Sequence, residues 1–215
     1  MLGPPASGKG TQAELLAEKA GLPSASTGAM LRQERHSGSA LGIEAEKWTK
    51  EGKLFPDDLA MRVVEHWLNA GRWDGFLLDG FPRTLGQAVA FDQMLAARGI
   101  KDDLLVLQLD LSDEAIKARV ADRLTCRDCG ATYGASFHKL AESDPCPACG
   151  GTLERRGDDT SSALENRLAQ YRDLTLPVCE YYENSGRLRR IDASLSRPVI
   201  HQAILDAAGV GVEAQ

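Results

Sequence analysis

The stretch Gly3-Pro4-Pro5-Ala6-Ser7-Gly8-Lys9-Gly10-Thr11-Gln12 decides the fold class that the sequence predicts. Its frame is G-x-x-x-x-G-K, a glycine-rich turn whose backbone N–H groups wrap a polyphosphate while the next helix presents its positive end. Lys9 is placed to reach the terminal phosphates, and the Thr11 hydroxyl can serve a Mg²⁺ ion. An ordinary Gly/Pro turn before a helix is the alternative, and the loop alone names no reaction.

Composition places the chain among ordinary globular proteins. Its 215 residues, 43% hydrophobic and 26% charged, suit one domain with insertions. The net charge of −6 argues against a general nucleic-acid surface. No apolar run approaches the roughly 18 residues of a membrane span, and the start lacks the pattern of a signal peptide. We therefore expect a cytoplasmic monomer that binds neither nucleic acids nor membranes.

Apolar β-type runs alternate along the chain with segments of helical spacing. Strands are predicted at 75–78 and 104–109, with a weaker one at 188–191. Helices are predicted at 12–20, 57–70, 84–98, 113–124, 161–173 and 197–208. This alternation predicts an α/β fold of P-loop type, in which helices cover both faces of a parallel sheet.

Residues 125–157 break the alternation and carry two C-x-x-C knuckles that are separated by sixteen residues: Cys126, Cys129, Cys146 and Cys149. Four thiolates at this spacing suit a closed tetrahedral Zn²⁺ site, which leaves no open position for catalysis. Free or disulfide-linked cysteines are the alternative. His138, between the knuckles, is expected at the surface, and Cys179 in the core. The segment is therefore predicted to be a small insert held together by structural zinc.

Two further segments suit the handling of phosphates. Asp79 follows the best strand and suits Mg²⁺ binding through water, while Arg83 in the next turn suits a bidentate phosphate contact. An ordinary turn with a solvated arginine is the alternative. Thr27 is predicted to cap a helix that carries Arg32 one turn later, a pattern common for purely structural reasons.

Arginines lie before and after the cysteine insert. Arg119 and Arg123, four residues apart, are predicted on one helical face before it, while Arg156 and Arg167 follow it. Such a pair is usually a solvated face, but an insert folded over the P-loop would bring several guanidiniums together. The sequence contains no Ser/His/Asp or Cys/His constellation. Phosphoryl transfer between nucleotides needs none, because the acceptor oxygen is already anionic.

Together these motifs resemble the adenylate kinase family, in its long-lid, zinc-containing form. The likeness covers nearly the whole chain. It rests on 3–12, 26–32, 52–55, 75–83, Gln87, Arg119, Arg123, the four cysteines, 156–159 and Arg167. It implies the reversible reaction ATP + AMP = 2 ADP, with Mg²⁺ accompanying ATP and Zn²⁺ held in the lid.

The resemblance also implies a division of the chain and a role for each matching residue. The core would comprise 1–25, 69–118 and 161–215, the AMP-binding insert 26–68, and the lid 119–160. The catalytic residues would be Lys9, Arg83, Arg123, Arg156, Arg167, Asp158 and Asp159, with the two aspartates orienting the arginines of the lid. ATP would contact Ala6, Ser7, Gly8, Lys9, Gly10, Thr11, Arg119, Arg123 and Arg197. AMP would contact Thr27, Arg32, Lys53, Leu54, Phe55, Gly80, Phe81, Pro82, Arg83, Gln87, Arg156 and Arg167. Asp79 and Thr11 would hold Mg²⁺ through water.

The chain departs from the family pattern at several positions. Ala6 replaces a glycine and carries a cost if the position needs a positive φ. Ala29 replaces an aspartate, and Gly134 replaces a histidine. Only Met1 and Leu2 precede Gly3, so we expect unpaired backbone groups on the neighbouring strands, and either an upstream start or a chain that is unusually unstable. A kinase for UMP or CMP and a non-catalytic nucleotide- or zinc-binding module are the alternative functions.

Overall fold

The computed structural model describes residues 1–49, 56–71, 74–155 and 159–211. The helices are α1 Lys9–Ala20, α2 Thr27–His36, α3 Ala40–Thr49, α4 Asp57–Ala70, α5 Leu85–Ala97, α6 Asp113–Ala121, α7 Ala135–His138, α8 Ser161–Gln170, α9 Leu176–Asn184 and α10 Arg197–Ala208, with a π-helical turn at Tyr171–Thr175 between α8 and α9. The strands are β1 Ser24–Ser26, β2 Leu77–Asp79, β3 Val106–Asp110, β4 Arg123–Cys126, β5 Thr132–Gly134, β6 Leu153–Glu154 and β7 Leu188–Asp192. None of the helices within these ranges combines the length and apolar character of a membrane span.

The core sheet is parallel, as predicted. β1 pairs with β2, placing Ser24 opposite Leu77, and β3 pairs with β7, placing Val106 opposite Leu188. Met1 and Leu2 join the two pairs. Met1 donates from its amino group to the carbonyl of Leu78 and accepts from Gly80, and Leu2 donates to Leu107 and accepts from Leu109. The two residues thus satisfy backbone groups on both sides, and the P-loop begins from the middle of the sheet. The expectation of unpaired groups on the neighbouring strands was therefore wrong at these positions.

Helices cover both faces of this sheet because strand side chains alternate in direction. Leu77, Leu107 and Leu109 pack into a core cluster with α1 and α10. Leu78, next to Leu77 in the chain, packs instead with α2, α4 and α5. This arrangement confirms the predicted α/β P-loop class.

The cysteine segment forms a separate antiparallel sheet in the order β5-β4-β6. Arg123 lies opposite Gly134, and Cys126 opposite Leu153. Among the described residues, its buried core holds two leucines, Leu124 and Leu153, besides two of the cysteines. So small a core gains much from a metal crosslink.

Two sequence predictions of local structure were wrong. The helix predicted at 113–124 ends at Ala121, so Arg123 opens β4 and does not share a helical face with Arg119. Thr27 is not the cap of α2, because the Ser26 hydroxyl accepts from the N–H of Ala29 at 3.1 Å. The helices at 57–70 and 197–208 are confirmed, and the weak strand at 188–191 is a full five-residue strand.

Candidate functional site

The P-loop is shaped by glycines that no other residue could replace without strain. A Cβ on Gly3 would lie 2.7 Å from the carbonyl oxygen of Leu109. Gly8 has φ 92° and stands immediately before α1, so the helix begins at Lys9 with its N-terminus at the loop. Ala6 has φ 57°, so the condition under which alanine carries a cost at this position is met. The loop therefore keeps its shape at the expense of strain at Ala6.

Charged side chains gather at the mouth of this loop. A cavity of about 150 Å³ is lined by Lys9, Gly80, Arg83 and Arg167, among others. Burial lowers the pKa of Lys9 to about 8, and Asp79 opposes that shift. Burial also lowers the pKa of Arg83, again against the effect of Asp79. Several cations lining one small cavity fit a polyanionic ligand.

The turn after β2 holds Arg83 by its main chain and by its side chain. Its Nε donates to the carbonyl of Gly80 at 2.8 Å, and its carbonyl accepts from the Thr175 hydroxyl at 3.1 Å. Its backbone N–H donates to the side-chain Oε1 of Gln87 at 2.8 Å. Thr175 reaches this carbonyl from the π-helical turn, and such turns often lie at functional sites. The guanidinium is therefore positioned before any ligand arrives.

Gln87 lies beside Arg83 and is hydrogen-bonded to Asp57, a residue that was not predicted from the sequence. Its Nε2 donates to Oδ1 of Asp57 at 2.9 Å, and the Thr84 hydroxyl donates to Oδ2 of Asp57 at 2.8 Å. Thr84 caps α5 by accepting from the N–H of Gln87 at 3.1 Å. The sequence offers one signal for Asp57, which is its place in the first turn of α4.

Arg123, the first residue of β4, is held by Asp159. Its Nε donates to Oδ2 of Asp159 at 2.8 Å, and its second nitrogen contacts Oδ1. A nitrogen of Arg167 lies 3.6 Å from the same Oδ1. The side chains of Arg123 and Asp159 are 12% and 7% exposed, so Arg123 does not lie on a solvated face in this structure.

Arg119, in helix α6, binds the backbone of the P-loop. Its guanidinium donates to the carbonyls of Ser7 at 3.1 Å and Ala193 at 2.5 Å. Arg197 opens α10, and its carbonyl accepts from the Gln12 side chain at 3.1 Å. Both arginines therefore belong to elements that contact the start of α1.

Asp79 has an oxygen that is available to a cation. Its Oδ1 is buried and has no hydrogen-bond partner among the described residues. Its Oδ2 lies 3.5 Å from where a Cβ on Gly10 would stand, so the carboxylate faces the first turn of α1. Buried polar atoms are normally paired, and an unpaired carboxylate oxygen here fits hydrated Mg²⁺.

Part of the expected site lies outside the described residues. These positions are Lys53, Leu54, Phe55, Arg156 and Asp158, together with the side chain of Arg32. Thr27 is described and buried, on α2. Gly80, Phe81 and Pro82 form the turn that leads to Arg83, with a cis bond between Phe81 and Pro82.

The four cysteines converge as predicted. Their sulfur atoms all lie within 4.8 Å of one another, with Cys126 and Cys149 at 3.5 Å and Cys129 and Cys146 at 3.7 Å. A tetrahedral site with Zn–S bonds of about 2.3 Å has sulfurs roughly 3.8 Å apart. His138 is exposed and its Nδ1 contacts the carbonyl of Gly134, in keeping with the prediction.

Tyr133 supports this cluster and was not singled out from the sequence. Its hydroxyl lies 3.3 Å from the sulfur of Cys146. This hydrogen bond, aided by the N–H groups of Ala148 and Cys149, lowers the pKa of Cys146 to about 6. The thiolate is the form that binds metal, so a lowered pKa of this thiol favours metal binding.

Comparison with known proteins agrees with this geometry. A family model described as Adenylate kinase matches residues 1–187. The chain belongs to the adenylate kinase family. The adenylate kinase of Syntrophotalea carbinolica is 43% identical over 214 residues, which cover 99% of this chain and 98% of that protein. That of Moorella thermoacetica is 40% identical over 97% of this chain and 96% of its own length. That of Archaeoglobus fulgidus is 40% identical over 90% and 89%.

Membership of the adenylate kinase family confirms the resemblance seen in the sequence. The chain is a phosphotransferase of the nucleoside monophosphate kinase class, and the reaction of its family is ATP + AMP = 2 ADP. Adenylate kinases use Mg²⁺ with ATP, and the four-cysteine cluster is compatible with a structural metal.

Proposed function

We propose that this adenylate kinase works by surrounding the transferring phosphoryl group with the cations at the mouth of its P-loop. The observation that carries the proposal is the cavity lined by Lys9, Arg83 and Arg167. Phosphoryl transfer needs positioning and charge neutralisation more than covalent chemistry. Pre-positioned cations in a poorly hydrated site supply both.

Each cation has a distinct place in this scheme. Lys9 reaches the phosphates of ATP from the first residue of α1, and Arg83 and Arg167 lie between the two nucleotides. Arg123 comes from the lid and is oriented by Asp159. Arg156 and Asp158 are assigned to the same cluster by family resemblance.

The loop from Ala6 to Thr11 binds ATP through its backbone N–H groups, with Arg119 and Arg197 beside the adenine. Mg²⁺ belongs at Asp79 and Thr11, through water. The unpaired oxygen of Asp79 supports this assignment. Bound there, the ion offsets negative charge on the phosphates.

AMP belongs on the other side of Arg83. The residues assigned to AMP by family resemblance are Thr27, Arg32, Gln87, Gly80–Pro82 and the segment Lys53-Leu54-Phe55.

The corresponding division of the chain is a core of 1–25, 69–118 and 161–215, an AMP-binding insert of 26–68, and a lid of 119–160. Closure of the lid excludes water, which would otherwise accept the phosphoryl group and waste ATP.

Zn²⁺ is the metal we propose for the four cysteines. The support is a donor set of four sulfurs at distances suited to tetrahedral Zn–S bonds, with an acidified Cys146. The role is structural, because four protein ligands leave no open position for substrate.

A coupled assay with ATP and each of AMP, UMP, CMP and GMP tests the proposal. We expect AMP to be turned over at least ~10-fold better than any other acceptor, a difference of about 1.4 kcal/mol. Equal rates with UMP or CMP would favour a pyrimidine nucleotide kinase, and no turnover at all a non-catalytic binding module. We further propose a cytoplasmic monomer that binds neither nucleic acids nor membranes, which sedimentation and cell fractionation test.

A further inference from the structure

The side-chain amide of Gln87 is held in one orientation by two different partners. Its Oε1 accepts from the backbone N–H of Arg83, and its Nε2 donates to Oδ1 of Asp57. A carboxylate only accepts and a backbone N–H only donates, so a flipped amide would lose both bonds. Gln87 is 4% exposed, so water offers little compensation for such a loss. The orientation of this amide is therefore set by its neighbours.

Asp57 is itself constrained on several sides. Its Oδ2 accepts from the Thr84 hydroxyl, the same group that accepts from the N–H of Gln87. A Cβ on Gly86 would lie 2.5 Å from Oδ2, so a glycine at that position leaves room for the carboxylate. Asp57 also stands at the first residue of α4, where the helix dipole favours a negative charge. These contacts hold the carboxylate against Gln87.

A fixed amide can distinguish nucleobases by their hydrogen-bonding edges. With the hydrogen bonds to Arg83 and Asp57 formed, the side chain of Gln87 retains one unused N–H and one unused lone pair on Oε1. That pair matches a base edge with an amino donor next to a ring acceptor, as in adenine. Hypoxanthine and guanine present the reverse pattern of a carbonyl and a ring N–H. A freely rotating amide would match either pattern by flipping.

We propose that Asp57 is a specificity-determining positioning residue, which fixes the Gln87 amide so that the acceptor site selects amino over oxo purines. The inference rests on the proposed function, in that it takes Gln87 to face the acceptor base. Asp57 acts through Gln87 and Thr84 and touches no reacting atom. Its removal therefore acts on the choice of base and leaves the ATP side unaffected.

The test measures kcat/KM for AMP and for IMP, which differ at the six-position and the neighbouring ring nitrogen. Asp57→Leu removes the acceptor, and we expect it to lower the AMP-to-IMP ratio by about tenfold, with an unchanged KM for ATP. Asp57→Asn is the matched control, because its carbonyl can still accept from Nε2 while it equally lacks the charge. It should retain the ratio within about threefold.

Gly86→Ala gives a second test that does not depend on the folding of Asp57→Leu. Alanine suits a helix better than glycine, so α5 persists, but the new Cβ must displace the carboxylate of Asp57. We expect this variant also to lower the ratio. In a Gln87→Met background, where no oriented amide remains, Asp57→Leu should change the ratio no further.

Three outcomes overturn the inference: an unchanged ratio in both Asp57→Leu and Gly86→Ala, an equal loss in Asp57→Asn, or an equal effect of Asp57→Leu with methionine at 87. Failure of the proposed function is distinguishable from these. It would show as a wild-type enzyme that does not phosphorylate AMP at all.

Discussion

Asp159 holds Arg123 through both of its carboxylate oxygens and lies 3.6 Å from Arg167 as well. One buried carboxylate thus orients an arginine from strand β4 and another from helix α8. Bidentate pairs of this kind fix direction in addition to charge. The two guanidiniums are in this way brought together before any nucleotide binds.

Replacing Arg123 by alanine should reduce turnover by roughly 10²–10³-fold, about 3–4 kcal/mol of transition-state stabilisation, as for loss of a charge-stabilising donor. The effect should fall on kcat because the contact strengthens as charge develops. Steady-state kinetics measures it. Arg127→Ala, which removes an exposed arginine of the same lid, is the control and should be near wild type. Near-normal turnover of Arg123→Ala would remove this residue from the mechanism.

Ala6→Gly should stabilise the protein by about 1 kcal/mol, because a non-glycine residue in the left-handed region carries roughly 1–2 kcal/mol of strain, partly offset by the flexibility of glycine when unfolded. Thermal or urea unfolding measures the change. Ala17→Gly, in the interior of α1, should move stability the other way. A destabilised Ala6→Gly variant would show that the positive φ carries no strain.

ATP binding should weaken as pH rises above about 8, since burial holds the pKa of Lys9 at about 8 in the free protein and only the ammonium attracts phosphate. Bound phosphates favour the charged form, so binding near pH 9 takes up a proton. The Kd for ATP should increase about tenfold per pH unit above 8 until the pKa of the complex is reached. Calorimetry in two buffers of different ionisation enthalpy measures both quantities.

Lys9→Arg is the control for this pH dependence, because arginine stays charged throughout the range. Its affinity for ATP should vary little between about pH 7 and 9.5. Stability follows the same linkage. Between pH 8 and the unfolded pKa of 10.5 the unfolded chain binds the extra proton, so the contribution of Lys9 to stability rises with pH. A pH-independent Kd in the wild-type protein would contradict the prediction.

Cys129→Ser should abolish stoichiometric zinc and lower the melting temperature, while sparing much of the activity at low temperature. The reason is that the metal supplies folding free energy to a lid with a very small core of its own. Elemental analysis should find one Zn²⁺ per wild-type chain. Cys179→Ala, which changes a buried cysteine outside the cluster, should keep that zinc. Reduced, carefully purified protein without metal would refute the assignment.

Structural features that depend on the spacing of neighbouring residues could be predicted from the sequence. The P-loop, the two cysteine knuckles and the helix at 57–70 each depend on local spacing, and the structure has them where expected. The cost at Ala6 was predicted on the condition of a positive φ, and the structure meets that condition.

Features set by distant pairing could not be predicted in the same way. The helix before the lid stops at Ala121 because Arg123 pairs with Gly134 in a sheet, while Asp122 accepts from the N–H of Ser136. A periodicity of side chains contains no information on such pairing. The contact between Asp57 and Gln87 likewise joins residues thirty positions apart. The cap of α2 was missed by one residue, because Ser26 and Thr27 are both good capping types.

Strand β4 is only four residues long, and it begins with Arg123 and ends with Cys126. At about 3.3 Å per residue, the two ends are roughly 10 Å apart. The strand therefore joins the four-cysteine cluster at one end to the guanidinium of Arg123 at the other. A lid that lost its metal would keep every charged side chain of the active site. It would no longer fix the orientation of one of them, Arg123.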